Sequence, residues 1–258
     1  MDCLIRALIQ SLIMKKVHLS LLLIGFAFAS SALAQSAQMS PTRRPSLWVP
    51  ARYSHEVAVI NTATNRVVTQ IPVGSEPIRI AITPDRLKAF ISNSLSASIS
   101  VLDTVAHTNI ATIPVYNVPG ETTITPDGRQ LWVIHQAPLA SDPDHSPVAV
   151  IDTTTLTVIA TIPTGRLPQR VVITADGTKA FVQNGFSDTV SAIDTATHTV
   201  IATIPVGHLP WAILGNSDDT KLYVCTSQTL SVIDIPSLIV SATIADVGQT
   251  PFDLAFGP

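Results

Sequence analysis

An all-β fold, a five-bladed β-propeller with four-stranded antiparallel blades, is what three features of this sequence predict. One segment recurs five times at a period of about 42 residues. Charged residues make up 13% and aromatics 5% of the chain, while Val, Ile, Thr and Ala dominate, the profile of many half-buried strands rather than of helices. Each repeat also carries turn signals at fixed offsets, so four short strands fit one period.

The recurring segments begin at Val59-Ile60-Asn61-Thr62, Val101-Leu102-Asp103-Thr104, Val150-Ile151-Asp152-Thr153, Ala192-Ile193-Asp194-Thr195 and Val232-Ile233-Asp234-Ile235, spaced 42, 49, 42 and 40 residues apart. A second β-type run follows each, for example Ala160-Thr161-Ile162-Pro163. Next comes a Gly-x-x-Pro turn at Gly74–Pro77, Gly165–Pro168, Gly207–Pro210 and Gly248–Pro251; Tyr116 takes the glycine's place in the second repeat. An alternating strand such as Ile80-Ala81-Ile82 leads to a Thr-Pro-Asp-Gly type turn, as at Thr125–Gly128. There Pro presets the first dihedral and Asp bonds its own backbone. The last run of the period ends in Phe90-Ile91-Ser92-Asn93, Trp132-Val133-Ile134-His135, Phe181-Val182-Gln183-Asn184 or Tyr223-Val224-Cys225-Thr226.

These last runs and the repeat around them resemble the YVTN β-propeller repeat family, which includes YncE-like secreted propellers. The resemblance covers about residues 46–258, here with five repeats. By analogy with other propellers, it implies that the strand after Gly-x-x-Pro is innermost and the Ala-Thr-Ile-Pro strand outermost.

The two ends of the repeat region complement each other. Leu47–Ala51 reads as a second strand without a first, and Pro251–Phe256 as a first strand without a second, so pairing them is expected to complete a fifth blade. Trp48, Phe90, Trp132, Phe181 and Tyr223 share one position in the five blades and are expected to form a ring of inter-blade aromatics.

Upstream, Lys15 and Lys16 precede an apolar run from Val17 to about Ala29, and Ala32-Leu33-Ala34 offers the small residues of a cleavage site. Residues 1–34 are expected to be a signal peptide, with Met14 as a plausible natural start, and 35–45 a flexible segment before the propeller at 46–258. The expected location is periplasmic or extracellular, without a membrane span. After cleavage Cys225 stands alone, so no intrachain disulfide framework is expected. The remainder carries 12 Lys and Arg against 17 Asp and Glu, a net charge of −5, which argues against a nucleic-acid binder.

Because the scaffold repeats, function is sought where a blade departs from its fellows. The second residue after each turn proline reads Arg79, Glu121, Arg170, Ala212 and Asp253, which places alternating charges at the upper mouth of the central channel. One reading is a ring of mutually neutralising ion pairs. The other is a polar funnel for a small anionic or zwitterionic ligand, with Arg79 and Arg170 as fork-shaped donors, Glu121 and Asp253 beside them, and Trp211 covering an apolar part of the ligand.

His55, His135, His145 and His208 fall on top-face strand ends or loops. His135, His145 and His208, with Asp142 and Asp144 in the loop from Gln136 to Pro147, are weak metal candidates, since their spacing matches no metal signature. His107 and His198, on the opposite turns, are expected to be solvated, and Cys225 to pack inside a strand. No Gly-x-Ser-x-Gly elbow, His-Glu-x-x-His helix or phosphate loop is present.

The leading expectation is a monomeric, non-catalytic module without a cofactor, binding a small molecule or an envelope or extracellular protein on its top face. A lactonase-like hydrolase using Glu121, Asp253 and Arg170, and a cofactor-bearing redox propeller, remain as alternatives.

Overall fold

A computed structural model describes residues 46–136, 145–248, 251 and 253–256. The signal peptide, the segment 35–45, Asp142 and Asp144 lie outside the described residues. Five antiparallel sheets follow one another along the chain. The first holds β1 (Ser46–Ala51), β2 (Glu56–Asn61) and β3 (Arg66–Pro72). The second holds β4 (Pro77–Ile82), β5 (Lys88–Asn93), β6 (Ser98–Asp103) and β7 (Thr108–Pro114). The third contains β8 (Pro119–Ile124), β9 (Gln130–His135), β10 (Pro147–Asp152) and β11 (Thr157–Pro163). In the fourth are β12 (Pro168–Ile173), β13 (Lys179–Asn184), β14 (Thr189–Asp194) and β15 (Thr199–Pro205). The fifth comprises β16 (Ala212–Gly215), β17 (Lys221–Cys225), β18 (Leu230–Asp234) and β19 (Ile239–Ile244).

Every sheet is an up-and-down meander, and the repeated polar residues explain its turns. The Asp that closes the third strand of a four-stranded sheet turns back on its own hairpin: Asp152 Oδ1 accepts from the N–H groups of Thr154 and Thr155 at 2.8 and 2.7 Å, and Asp194 does the same for Ala196 and Thr197. At the first hairpin, Thr125 donates to Asp127 at 2.6 Å and Asp127 accepts from Arg129 N–H at 3.0 Å. These bonds hold the turn carboxylates of Asp127, Asp152 and Asp194 below the usual carboxylate range.

First strands pack on first strands: β4 on β8, β8 on β12 and β12 on β16, as expected of the innermost position. Outer strands carry a register shift against their neighbour, as between Val101 and Leu102 or Val150 and Ile151. Such bulges twist an edge away from flat pairing with other chains.

The core lies between the sheets. Trp48 packs with Ala89, Ile91 and Leu102 of the second sheet; Phe90 with Leu131, Val133 and Ile151 of the third; Trp132 with Val171, Val182 and Ile193 of the fourth; Phe181 with Leu222, Val224 and Ile233 of the fifth. Phe90, Trp132 and Phe181 are fully buried, which is worth on the order of 2–3 kcal/mol each from apolar area. The expected aromatic ring is therefore the packing device at these four interfaces.

Two expectations need correction. His107 and His198 are not simply solvated: His107 meets the Trp48 ring edge-on at 5.6 Å, and His198 lies over Trp132 at 6.1 Å. Each sits at the left-handed position of its turn, with φ of 54° and 56°, where the side chain folds back over the preceding sheet's aromatic. Leu156 and Leu238 occupy the same turn position and pack on the clusters of Phe90 and Phe181. Burial lowers the pKa of His198. The second correction concerns the first sheet, which has three strands among the described residues. Asp253–Phe256 carry no strand, and among the described residues none pairs with the open edge of β1.

Candidate functional site

The inner strands place the charged residues at one level. In β4 and β12 the register shifts between the turn proline and the arginine, Pro77/Arg79 and Pro168/Arg170, and in β8 between Pro119 and Thr122, on either side of Glu121. A bulge at this point re-aims the side chain that follows the turn. Arg79, Glu121, Arg170 and Trp211 thereby come together on a single cavity of about 550 Å³, whose wall also includes Gln136, Gln169, Val171, Val172 and Ile213.

The charges pair across the cavity rim. Arg79 Nε donates to Glu121 at 2.7 Å, and its Nη1 to the carbonyl of Ile78 at 3.2 Å. Arg170 Nη1 donates to Asp253 at 3.0 Å. The Arg170 side chain is 43% exposed, and its other guanidinium nitrogens have no partner among the described residues. Asp253 is held below the usual carboxylate range by the Leu254 backbone and by Arg170. The first reading of the alternating charges, mutual neutralisation, thus accounts for two pairs and leaves a guanidinium edge facing the cavity.

Beneath the polar rim the wall turns apolar. Val171 and Ile213 are buried, and the Trp211 backbone N–H is anchored to the Cys225 carbonyl at 2.9 Å. Ala212, the gap in the charge sequence, is fully buried. Cys225 is buried as well, and burial raises its thiol pKa, which leaves it a poor nucleophile.

The histidines are dispersed. His208 Nδ1 pairs with Asp188 at 3.0 Å on an exposed loop, and His55 Nδ1 accepts from the Glu76 backbone N–H at 3.1 Å. His145 is exposed at the head of β10. His135 is fully buried at the end of β9, edge-on to Tyr116 at 6.0 Å, and among the described residues neither ring nitrogen has a well-formed hydrogen bond. Burial drives its pKa down to about 4, against the opposing effect of the backbone at Pro147 and Val133. Among the described residues no three His, Cys, Asp or Glu side chains cluster as a metal site would need.

Gln136 and Gln169 were not anticipated. Gln169 directly follows the turn proline Pro168, as Trp211 follows Pro210, so the repeat phase that singled out Trp211 also marked it. Gln136 directly follows β9, a position the charge comparison did not cover.

Comparison with known proteins agrees with this architecture. Residues 133–256 match the model of the YncE-like β-propeller family. No curated protein sequence matches. Hydrazine synthase of Kuenenia stuttgartiensis is similar over 73% of this chain and 59% of that one, at 22% identity and a TM-score of 0.63. The dihydro-heme d1 dehydrogenase NirN, in a complex with DHE, is similar over 80% of this chain and 45% of that one, at 17% identity and a TM-score of 0.67. The chain thus spans about half the length of these two proteins, and at such identities the likeness concerns the fold.

Proposed function

We propose that this YncE-like β-propeller is a secreted binding module, periplasmic or extracellular, that takes a small anionic or zwitterionic molecule at the mouth of its channel. The observation that carries the reading is the cavity of about 550 Å³ bounded by a half-exposed Arg170 and the Arg79–Glu121 pair above Val171, Ile213 and Trp211. A guanidinium edge offers two parallel N–H donors to a carboxylate. Glu121 and Asp253 offer acceptors to an ammonium group, the Gln136 and Gln169 amides serve either polarity, and the apolar wall takes a short side chain. The secreted location rests on the Lys15-Lys16 pair, the apolar run after it and Ala32-Leu33-Ala34.

Thermal-shift titration with L-glutamate and citrate tests this. A ligand at a hundred times its Kd stabilises by about 2.7 kcal/mol, several degrees for a domain of this size. Stabilisation is expected in the wild type and in Arg129→Ala, a distant exposed arginine, and lost in Arg170→Ala. Equal shifts in all three proteins would remove the site.

A further inference from the structure

We propose that the acid taken at this mouth is a sugar acid, a uronic pyranose that is free or ends a chain. Its carboxylate would lie on Arg170, its hydroxyls on Gln136, Gln169 and Glu121, and one face of its ring on Trp211. The inference rests on the reading of Arg170 as a carboxylate site and adds what the rest of the wall selects. Two positions at the top of each blade carry it, the one after the turn proline and the one after the second strand. They read Ile78 and Ser94 in the second sheet, Gly120 and Gln136 in the third, and Gln169 and Gly185 in the fourth. The third and fourth sheets thus hold the same pair in opposite order, and in both the glutamine lies on the glycine. A Cβ at Gly120 would sit 3.5 Å from Gln136 Cγ, and one at Gly185 only 3.1 Å from Gln169 Nε2. Bare backbone behind each side chain lets both amides line the cavity, one from the end of β9 and one from the start of β12.

The chemistry of this wall fits hydroxyls better than a second charge. A carboxamide sets an acceptor beside a donor, which is what two neighbouring hydroxyls need, and neither glutamine amide bonds to another described residue. Glu121 gives Oε2 to Arg79 and keeps Oε1 for a further donor. An amino acid's carboxylate and ammonium would engage Arg170 and Glu121 and leave both amides unused. Trp211 supplies a fixed platform: its own N–H is held by the Cys225 carbonyl at 2.9 Å, and the carbonyl of Pro210 before it accepts from the Gln183 amide. The electron-rich face of an indole suits the polarised C–H groups on one side of a pyranose ring. With about 550 Å³ the cavity lies in the range of small-molecule sites and has room for a ring as well as its carboxylate.

Calorimetric titration of the full chain with D-galacturonate, D-glucuronate, D-galactose, D-glucose and cyclohexanecarboxylate tests this. At least one uronate should bind about tenfold or more tighter than the neutral sugars, which lack the carboxylate, and than cyclohexanecarboxylate, which lacks every hydroxyl. Gln136→Ala and Gln169→Ala should each weaken that uronate about threefold to tenfold and leave cyclohexanecarboxylate unchanged. A short oligomer of the uronate that binds more tightly than the monomer would assign the site to a chain end, and equal or weaker binding to the free sugar acid. Uronates no tighter than cyclohexanecarboxylate, while citrate or L-glutamate still binds, would overturn the proposal and leave the carboxylate site standing. Glutamine variants that weaken cyclohexanecarboxylate as much as the uronate would overturn it too. Failure of every acid, citrate and L-glutamate included, would remove the site and this inference together.

Discussion

The third and fourth sheets share their four strands and differ in how their top ends are sealed. In the fourth, Gly165 lies so close to Asn184 that a Cβ there would sit 2.7 Å from its side chain. Asn184 accepts from Gly165 N–H at 3.1 Å and donates to the hydroxyls of Thr189 and Ser191 at 3.1 and 2.9 Å. Gly74, Asn93, Ser98 and Ser100 build a similar plug in the second sheet. In the third sheet all four positions change together, to Tyr116, His135, Pro147 and Ala149. With the hydroxyls gone an Asn would have nothing to bond, and with the glycine gone a ring fills the space. The difference teaches that the glycine and the hydroxyls go together: the fifth sheet keeps Gly207, Thr229 and Ser231 and seats Thr226 in the asparagine's place, where its hydroxyl meets that of Thr229 at 2.8 Å. The third sheet, which gives up the glycine and both hydroxyls, also supplies Glu121 and Gln136 to the cavity.

The comparison can be broken at its strongest point first. Asn184→Ala would strand the Gly165 N–H and two hydroxyls in a buried setting, at a cost of about 3 kcal/mol in denaturant unfolding. A loss under about 1 kcal/mol would mean the polar plug does not hold the blade.

The third sheet should answer to pH instead. His135 titrates near 4 when folded and near 6.5 when unfolded, so the unfolded chain binds the extra proton between these values. Its contribution is complete above pH 6.5 and is lost as the pH falls toward 4, to a limit of about 3 kcal/mol. His135→Leu should flatten that part of the stability profile, while the slope from the turn carboxylates at lower pH remains. At pH 7 the same variant should lie within about 1 kcal/mol of wild type, because it removes two unpaired buried nitrogens. A larger loss at pH 7 would reveal a partner for His135.

Much of this was legible because repetition turns an offset into a place. Counting two residues from each turn proline located Arg79, Glu121 and Arg170 on one cavity, since equivalent strands bulge at equivalent points. What a side chain does after a left-handed turn was not legible: His107 and His198 look like solvent-facing turn residues in sequence, yet φ near 55° folds them onto Trp48 and Trp132. The departure at Tyr116 was visible, but its coupling to His135, Pro147 and Ala149 depends on strand register at the blade top, which only the coordinates bring together.

The central claim is that Arg170 makes the channel mouth a carboxylate site, and calorimetric titration of citrate and L-glutamate into wild type, Arg170→Ala and Asp253→Asn tests it most directly. At least one of the two acids should bind the wild type. Arg170→Ala should weaken it tenfold or more, and Asp253→Asn, by freeing the arginine from its own carboxylate, should hold or tighten the binding of citrate, which carries no ammonium group for Asp253 to accept from. Equal affinity in wild type and Arg170→Ala, or a loss of citrate affinity in Asp253→Asn as large as that in Arg170→Ala, would contradict it.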